Sequence, residues 1–258
     1  MRNASLCACF LALLILPACG GGNQQPQFPD FGSPAGGGGA PAPTNFNSTL
    51  KGKIAFEGAA PAASKIQMSA DPYCQQNSKN PLTEEVEVKD GGLQNVIVYI
   101  SSGVPAGSYP APSNPVLIDQ HDCHYIPHVF TIQVGQTLKV KNSDATLHNI
   151  HAFSTTNKPF NFGQAIQNLE TDVKFDKGEM PLAIRCDVHK WMNSFAGVFA
   201  HPFHAVSMEG GAYEFKLPAG QYEITAWHEK YGKQTQMVNV ADNGTAELNF
   251  TFKPPTGD

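Results

Sequence analysis

FTIQVGQTLKVKN, Phe130 to Asn142, decides the fold class. Phe130, Ile132 and Val134 alternate with Thr131 and Gln133, and beyond Gly135 the alternation resumes with Leu138 and Val140 against Lys139 and Lys141. Successive side chains of a strand point to opposite faces, so this period of two describes a half-buried hairpin or bent strand. NVIVYI, Asn95 to Ile100, is a continuous apolar run of strand-like composition. AYEFKL, QYEITAW and TAELNFTF, between Ala212 and Phe252, alternate in the same way and are separated by PAG and DNG turn signals. No stretch sustains a helical period, and the class is all-β, a sandwich.

The chain has 258 residues, 41% hydrophobic and 15% charged, enough to bury one or two cores. A formal net charge of −5 without any basic cluster excludes nucleic acid as a partner. The front of the chain carries an apolar segment, Leu6 to Leu16, too short for a permanent membrane span and suited to export. It ends in LPAC, Leu16 to Cys19, which resembles the lipobox of bacterial lipoproteins. That likeness implies a signal peptide over 1–18, a lipid on Cys19 and, as the location, the periplasmic face of a bacterial membrane, the outer one favoured by Gly20, or the cell surface. Residues 19–47, rich in Gly and Pro and poor in apolar side chains, read as a tether between that membrane anchor and a folded part.

Of six cysteines, Cys7 and Cys9 belong to the signal and Cys19 to the anchor, leaving Cys74, Cys123 and Cys186. Three cysteines in an oxidising compartment suggest one disulfide and one thiol with other work. The expected pair is Cys74 with Cys123. Cys186 stands in RCDVHKWM, Arg185 to Met192, which spaces a thiol, an imidazole and a thioether three residues apart. In the preceding LAIRC, Leu182, Ile184 and Cys186 share one strand face, so Cys186 points inward as its strand ends, and His189 and Met192 follow on the loop. Such a loop suits a soft metal ion. Two histidines, a cysteine and a weak axial methionine make a blue-copper donor set, whereas zinc prefers tetrahedral sites without a thioether. The missing histidine is sought in NSDATLHNIHAF, Asn142 to Phe153, where strand parity places His148 and His151 on opposite faces.

These residues resemble the cupredoxin family, in which an Asn-rich turn and a His-Asn pair precede a later Cys-x-x-His-x-x-Met loop. The separation of Cys186 and His148, 186 − 148 = 38 positions, is similar to the family's, and the loop has the short, amicyanin-like length. The resemblance implies a Greek-key sandwich holding one type 1 copper through His148, Cys186, His189 and Met192, with Asn149 tying the two loops together. It implies a one-electron carrier whose partner is a redox protein such as a cytochrome or a copper enzyme, with His189 on an exposed loop as the exit. An enzyme is not expected: the neighbours of Cys186 are Arg185 and Asp187 rather than histidines, and no His-x-His pair is present to build a copper cluster. The alternative function is a copper-holding carrier or chaperone, or a surface binding module. GKIAFEG, Gly52 to Gly58, and the stretch from Gly211 to Val240 resemble a transthyretin-like or carboxypeptidase-regulatory-like sandwich. The expected division is a second, smaller sandwich from 48–92 plus 206–254 around a cupredoxin domain at 93–205.

HDCHYIPH offers His121, Cys123, His124 and His128 as a second metal site, against the simpler assignment of Cys123 to a disulfide. His201 and His204 are expected to pack, Trp191 to shield the metal or face a partner, and His228 to be structural.

Overall fold

The computed structural model describes residues 46–254; the export segment, Cys19 and all of the tether before Phe46 lie outside them. Nearly every element is a strand, as the alternating stretches require. Four sheets form two layered pairs. In the first pair, one sheet centres on Ser48–Phe56, flanked by Ala212–Leu217 and Gly92–Leu93 and joined in parallel by Thr245–Glu247 and Phe250–Phe252. Its companion runs His204–Val206, Ile97–Ser102, Gly220–His228, Gly232–Val240. Between them lies an apolar core that includes Leu50, Ile54, Val98, Ile100, Phe203, Tyr222 and Phe250. A second sandwich is therefore built from both flanks of the chain.

The other pair carries the alternating stretch from Phe130 to Asn142. One sheet runs Phe160–Gln164, His148–Phe153, Glu179–Arg185, Asn193–Phe199, Val129–Gln133, and the other Glu170–Lys174, Thr137–Asn142, Val116–His121, His124–Ile126. The core between them gathers Phe130, Ile132, Leu138, Val140, Ile150, Leu182 and Ile184. Of the two expected forms, hairpin and bent strand, the hairpin is excluded: Val129–Gln133 and Thr137–Asn142 belong to opposite sheets. The chain turns the corner at Gly135, whose φ of +80° suits glycine, and both halves keep their apolar faces on one core.

The expected domain boundary at 93 is also corrected. Ile97–Ser102 pairs with His204–Val206 and Gly220–His228, so it belongs to the flanking sandwich. Its unbroken apolar run has a physical reason: Val98 and Ile100 enter the flanking core, while Ile97 and Tyr99 face the other way and pack with Val129, Met180 and Phe199. A strand buried on both faces has no polar face to alternate with.

The one α-helix among the described residues is a short one, Pro72–Asn77, that no periodicity announced. Its start is nevertheless encoded. Asp71 caps it by accepting from the Tyr73 and Cys74 N–H groups, and Pro72 occupies the first turn, where a missing N–H costs nothing.

Candidate metal centre

His148 opens the strand His148–Phe153, and Cys186 directly follows its neighbour Glu179–Arg185. The two strands are antiparallel with Arg185 opposite His151, which brings the Cys186 loop to the His148 end of the sheet. Parity then sorts the histidines. His148 is fully buried, whereas the His151 side chain keeps 26% of its exposure and turns outward to Asp187. Asn161 Nδ2 completes that outer cluster with a hydrogen bond to Asp187 of 2.8 Å.

The loop after Cys186 is closed by its own backbone. Cys186 N–H donates to the Met192 carbonyl at 3.1 Å, and Met192 N–H to the His189 carbonyl at 2.9 Å. Cys186, His189 and Met192 are each about 1% exposed, and the Met192 side chain joins the apolar core beneath. Asn149 ties the two segments together through its Oδ1, which accepts from Asp187 N–H at 2.9 Å, and the Cys186 sulfur accepts from His189 N–H at 3.2 Å.

His148, Cys186 and His189 each offer a ligand atom, all within 4.8 Å of one another. The rings meet Nδ1 to Nδ1 at 3.0 Å, with the Cys186 sulfur 3.9 Å from His189 Nδ1. Burial pushes the Cys186 thiol up. The nearby His189 ring and the backbone N–H groups of His189, Asn149 and Val188 outweigh it and leave the thiol below its ordinary value. A thiol held toward thiolate beside two imidazole nitrogens, with a buried thioether on the same loop, fits copper by donor chemistry.

The outward nitrogens are occupied as well. His148 Nε2 donates to Asp144 at 2.8 Å and His189 Nε2 to Asp71 at 2.9 Å. Burial raises both carboxyls, but their hydrogen bonds, led by the histidine in each case, hold them below the usual carboxylate range. Cys74 and Cys123 are joined in a disulfide, which leaves Cys186 as the free cysteine among the described residues. The Cys74 sulfur lies 3.9 Å from His189 Nε2. Trp191 packs on His189 with ring centroids 5.0 Å apart and donates its indole N–H to the Cys123 carbonyl.

This outer layer overturns the expectation that His189 is exposed. The segment around Asp71, contributed by the flank of the chain, lies over it. Sequence reasoning missed Asp71 and Asp144 as parts of the site. Asp144 stood in the Asn-rich turn, and the Asp-Pro helix start at Asp71 was a readable local signal, but nothing local placed it beside His189.

The remaining histidines have other partners. Among the described residues, no group of three donors closing within 4.8 Å includes His121, His124 or His128. His124 lies between Glu84 and the Asn80 carbonyl, and His128 between Glu229 and the Asn193 carbonyl. His201 stacks on Phe203 and His204 on Phe199, while His228 stacks on Tyr231.

No family model matches this chain, and no curated protein does. Solved structures align with part of it. A copper-containing nitrite reductase, NirK from Thermus scotoductus SA-01, aligns at 19% identity and a TM-score of 0.32, over 38% of this chain and 25% of that one. The alignment thus spans about a quarter of the reductase. A purple cupredoxin from Nitrosopumilus maritimus aligns at 22% identity and a TM-score of 0.28, over 33% of this chain and 97% of its own. A methionine-to-alanine mutant of amicyanin in its Cu(I) form aligns at 16% identity and a TM-score of 0.30, over 39% of this chain and 97% of its own.

Proposed function

We propose that the chain is a type 1 copper protein that carries single electrons, with His148, Cys186, His189 and Met192 as its ligands. The observation that carries this reading is the buried pair of imidazoles meeting at 3.0 Å through Nδ1, beside a cysteine whose thiol is drawn toward thiolate. Copper bound there supplies a one-electron couple. The chain's own part is to hold the donors in place before and after the electron moves, because a buried loop closed by hydrogen bonds leaves little to rearrange. Burial of all four side chains excludes water.

Cys19 is the proposed lipid anchor, and a redox protein on the same side of the membrane the proposed partner. Since His189 is covered, Trp191 is the better contact between site and surface: it touches His189 and lines a cavity of about 300 Å³ with Glu84, His124, His128 and Glu229. The same enclosure favours a second reading, a copper-holding protein without electron traffic. Loading with Cu(II) tests the first: an intense blue band that disappears in Cys186→Ser is expected, and a colourless loaded protein ends it. Electron self-exchange of the loaded protein separates the two readings, since a store exchanges slowly whatever its colour.

A further inference from the structure

Asp71 stands apart from the ligand segments by more than a hundred residues from His189, yet every lone pair of its carboxylate has work. Oδ1 accepts from the Tyr73 and Cys74 N–H groups at 2.7 and 3.2 Å, and Oδ2 from Thr146 Oγ1 and His189 Nε2, both at 2.9 Å. Asp144 repeats the pattern on the other side. It accepts from the Cys123 N–H at 2.8 Å and from His148 Nε2 at 2.8 Å. Each carboxylate therefore receives one site histidine and the backbone N–H of one disulfide cysteine. The Cys74–Cys123 bond joins the two halves, and the 3.0 Å contact between His148 and His189 closes the circuit.

We propose that Asp71 is a positioning residue for His189: it keeps the proton on Nε2 and thereby turns a lone pair on Nδ1 toward the metal position, with the disulfide holding Asp71 in register. The inference rests on the blue-copper reading above for what occupies that position, and on the hydrogen bonds alone for the tautomer. An imidazole in neutral form has one N–H and one lone pair, and the partner of the first decides where the second points. Ring torsion in histidine is broad and nearly two-fold, so packing by itself is a weak selector between the nitrogens. The carboxylate is a strong one. With Asp144 acting likewise on His148, the two Nδ1 atoms meet lone pair to lone pair, a gap that only a cation closes favourably.

Asp71→Asn separates this role from a merely structural one. The amide is isosteric, its oxygen still caps the helix, and its NH₂ then faces His189 Nε2 and demands a lone pair there, so the tautomer inverts. Long-range proton–nitrogen correlation spectra of the metal-free protein at mildly alkaline pH read the His189 tautomer directly, and Cu(II) competition reads affinity. The native chain is expected to hold the proton on Nε2, Asp71→Asn to move it to Nδ1, and copper affinity to fall by about 10- to 100-fold, with the disulfide intact by thiol count. Asp71→Ser keeps a helix cap but has no group that reaches His189, and is expected to lose the single tautomer. Either variant retaining the native tautomer and native affinity overturns the proposal. Failure of the native chain to bind copper overturns the blue-copper reading, while the metal-free spectra still decide the role of Asp71.

Discussion

The two sandwiches bury histidines in opposite ways. Around the candidate metal centre each histidine has a polar partner on both sides: His148 lies between Asp144 and His189, and His189 between Asp71 and His148. In the flanking sandwich the imidazoles sit among aromatic rings. His204 has no hydrogen-bond partner for either nitrogen, and His228 has none for Nε2. Burial pushes His204 down to about 3, with the charge of His201 adding to it, and burial takes His201 and His228 down to about 4. The difference teaches what each core is for. One arranges polar groups at the expense of apolar packing, and the other packs rings and treats its histidines as neutral fillers.

The sharpest attack on that contrast is Phe203→Ala. Phe203 is fully buried in the flanking core and meets Phe46 and Tyr109 edge to face. The substitution is expected to cost about 3–5 kcal/mol, a fall in Tm of roughly 10 °C for a chain of this size, while copper affinity of the folded protein stays near native. A large loss of affinity in protein still folded by circular dichroism would mean that the two regions are not separable.

His148→Ala is the converse. Copper affinity should drop by more than the roughly 100-fold upper figure for an outer partner, since the substitution removes a proposed ligand. His151→Ala, which deletes a partly exposed pair with Asp187, should change stability by no more than about 1 kcal/mol and leave the blue band in place. Competition titrations of both variants check this, and loss of the band in His151→Ala alone would reverse the assignment.

Acid should act on the flanking sandwich through its neutral histidines. Their folded values lie below the ordinary 6.5, so the folded state binds fewer protons. Their contribution is complete above about 6.5 and is lost as pH falls toward about 4 for His201 and His228 and about 3 for His204. His204→Phe should flatten that part of the urea-midpoint profile, and an unchanged profile would remove His204 from the account.

The smallest effect lies where the regions join. Burial lowers His128, but its bond to Glu229, the charges of Glu229 and Glu84 and the Asn193 carbonyl outweigh it and raise the ring above 6.5; Glu84 and the Asn80 carbonyl do the same against burial at His124. Groups raised in the fold stabilise it fully below the unfolded value and lose that effect as pH rises through the folded one. Amide protection in His124–Ile126 and in Val129–Gln133, which His128 precedes, should therefore fall on the alkaline side once the intrinsic exchange rate is divided out. Glu229→Gln should weaken the dependence at His128 by about 1 kcal/mol; a variant with native exchange at every pH would show that the pair does not couple the regions.

Much of the candidate site was legible because its signals are local. The Cys186, His189, Met192 spacing and the inward parity of Leu182, Ile184 and Cys186 need only the strand period, and the structure buries all of them. The same period put His148 and His151 on opposite faces, the resemblance chose His148, and the structure buries His148 while His151 stays partly exposed. The burial of His189 was not legible, because the residues that cover it, Asp71 and Cys74, come from the flank. Nor was the sheet that Ile97–Ser102 joins: an apolar run says that both faces are covered but not by what.

By itself the sequence determined the strand class, the inward side of the alternating strands it showed and the spacing of Cys186, His189 and Met192, all of which depend on residues close to one another along the chain. Only the tertiary structure decided which strands share a sheet, that a disulfide-linked flank closes over the candidate metal centre, and that a carboxylate stands behind both His148 and His189. The physical reason is that side-chain direction along a strand is set by backbone geometry residue by residue. The partner waiting in that direction is set by how distant segments return to one core, and no period along the chain records that.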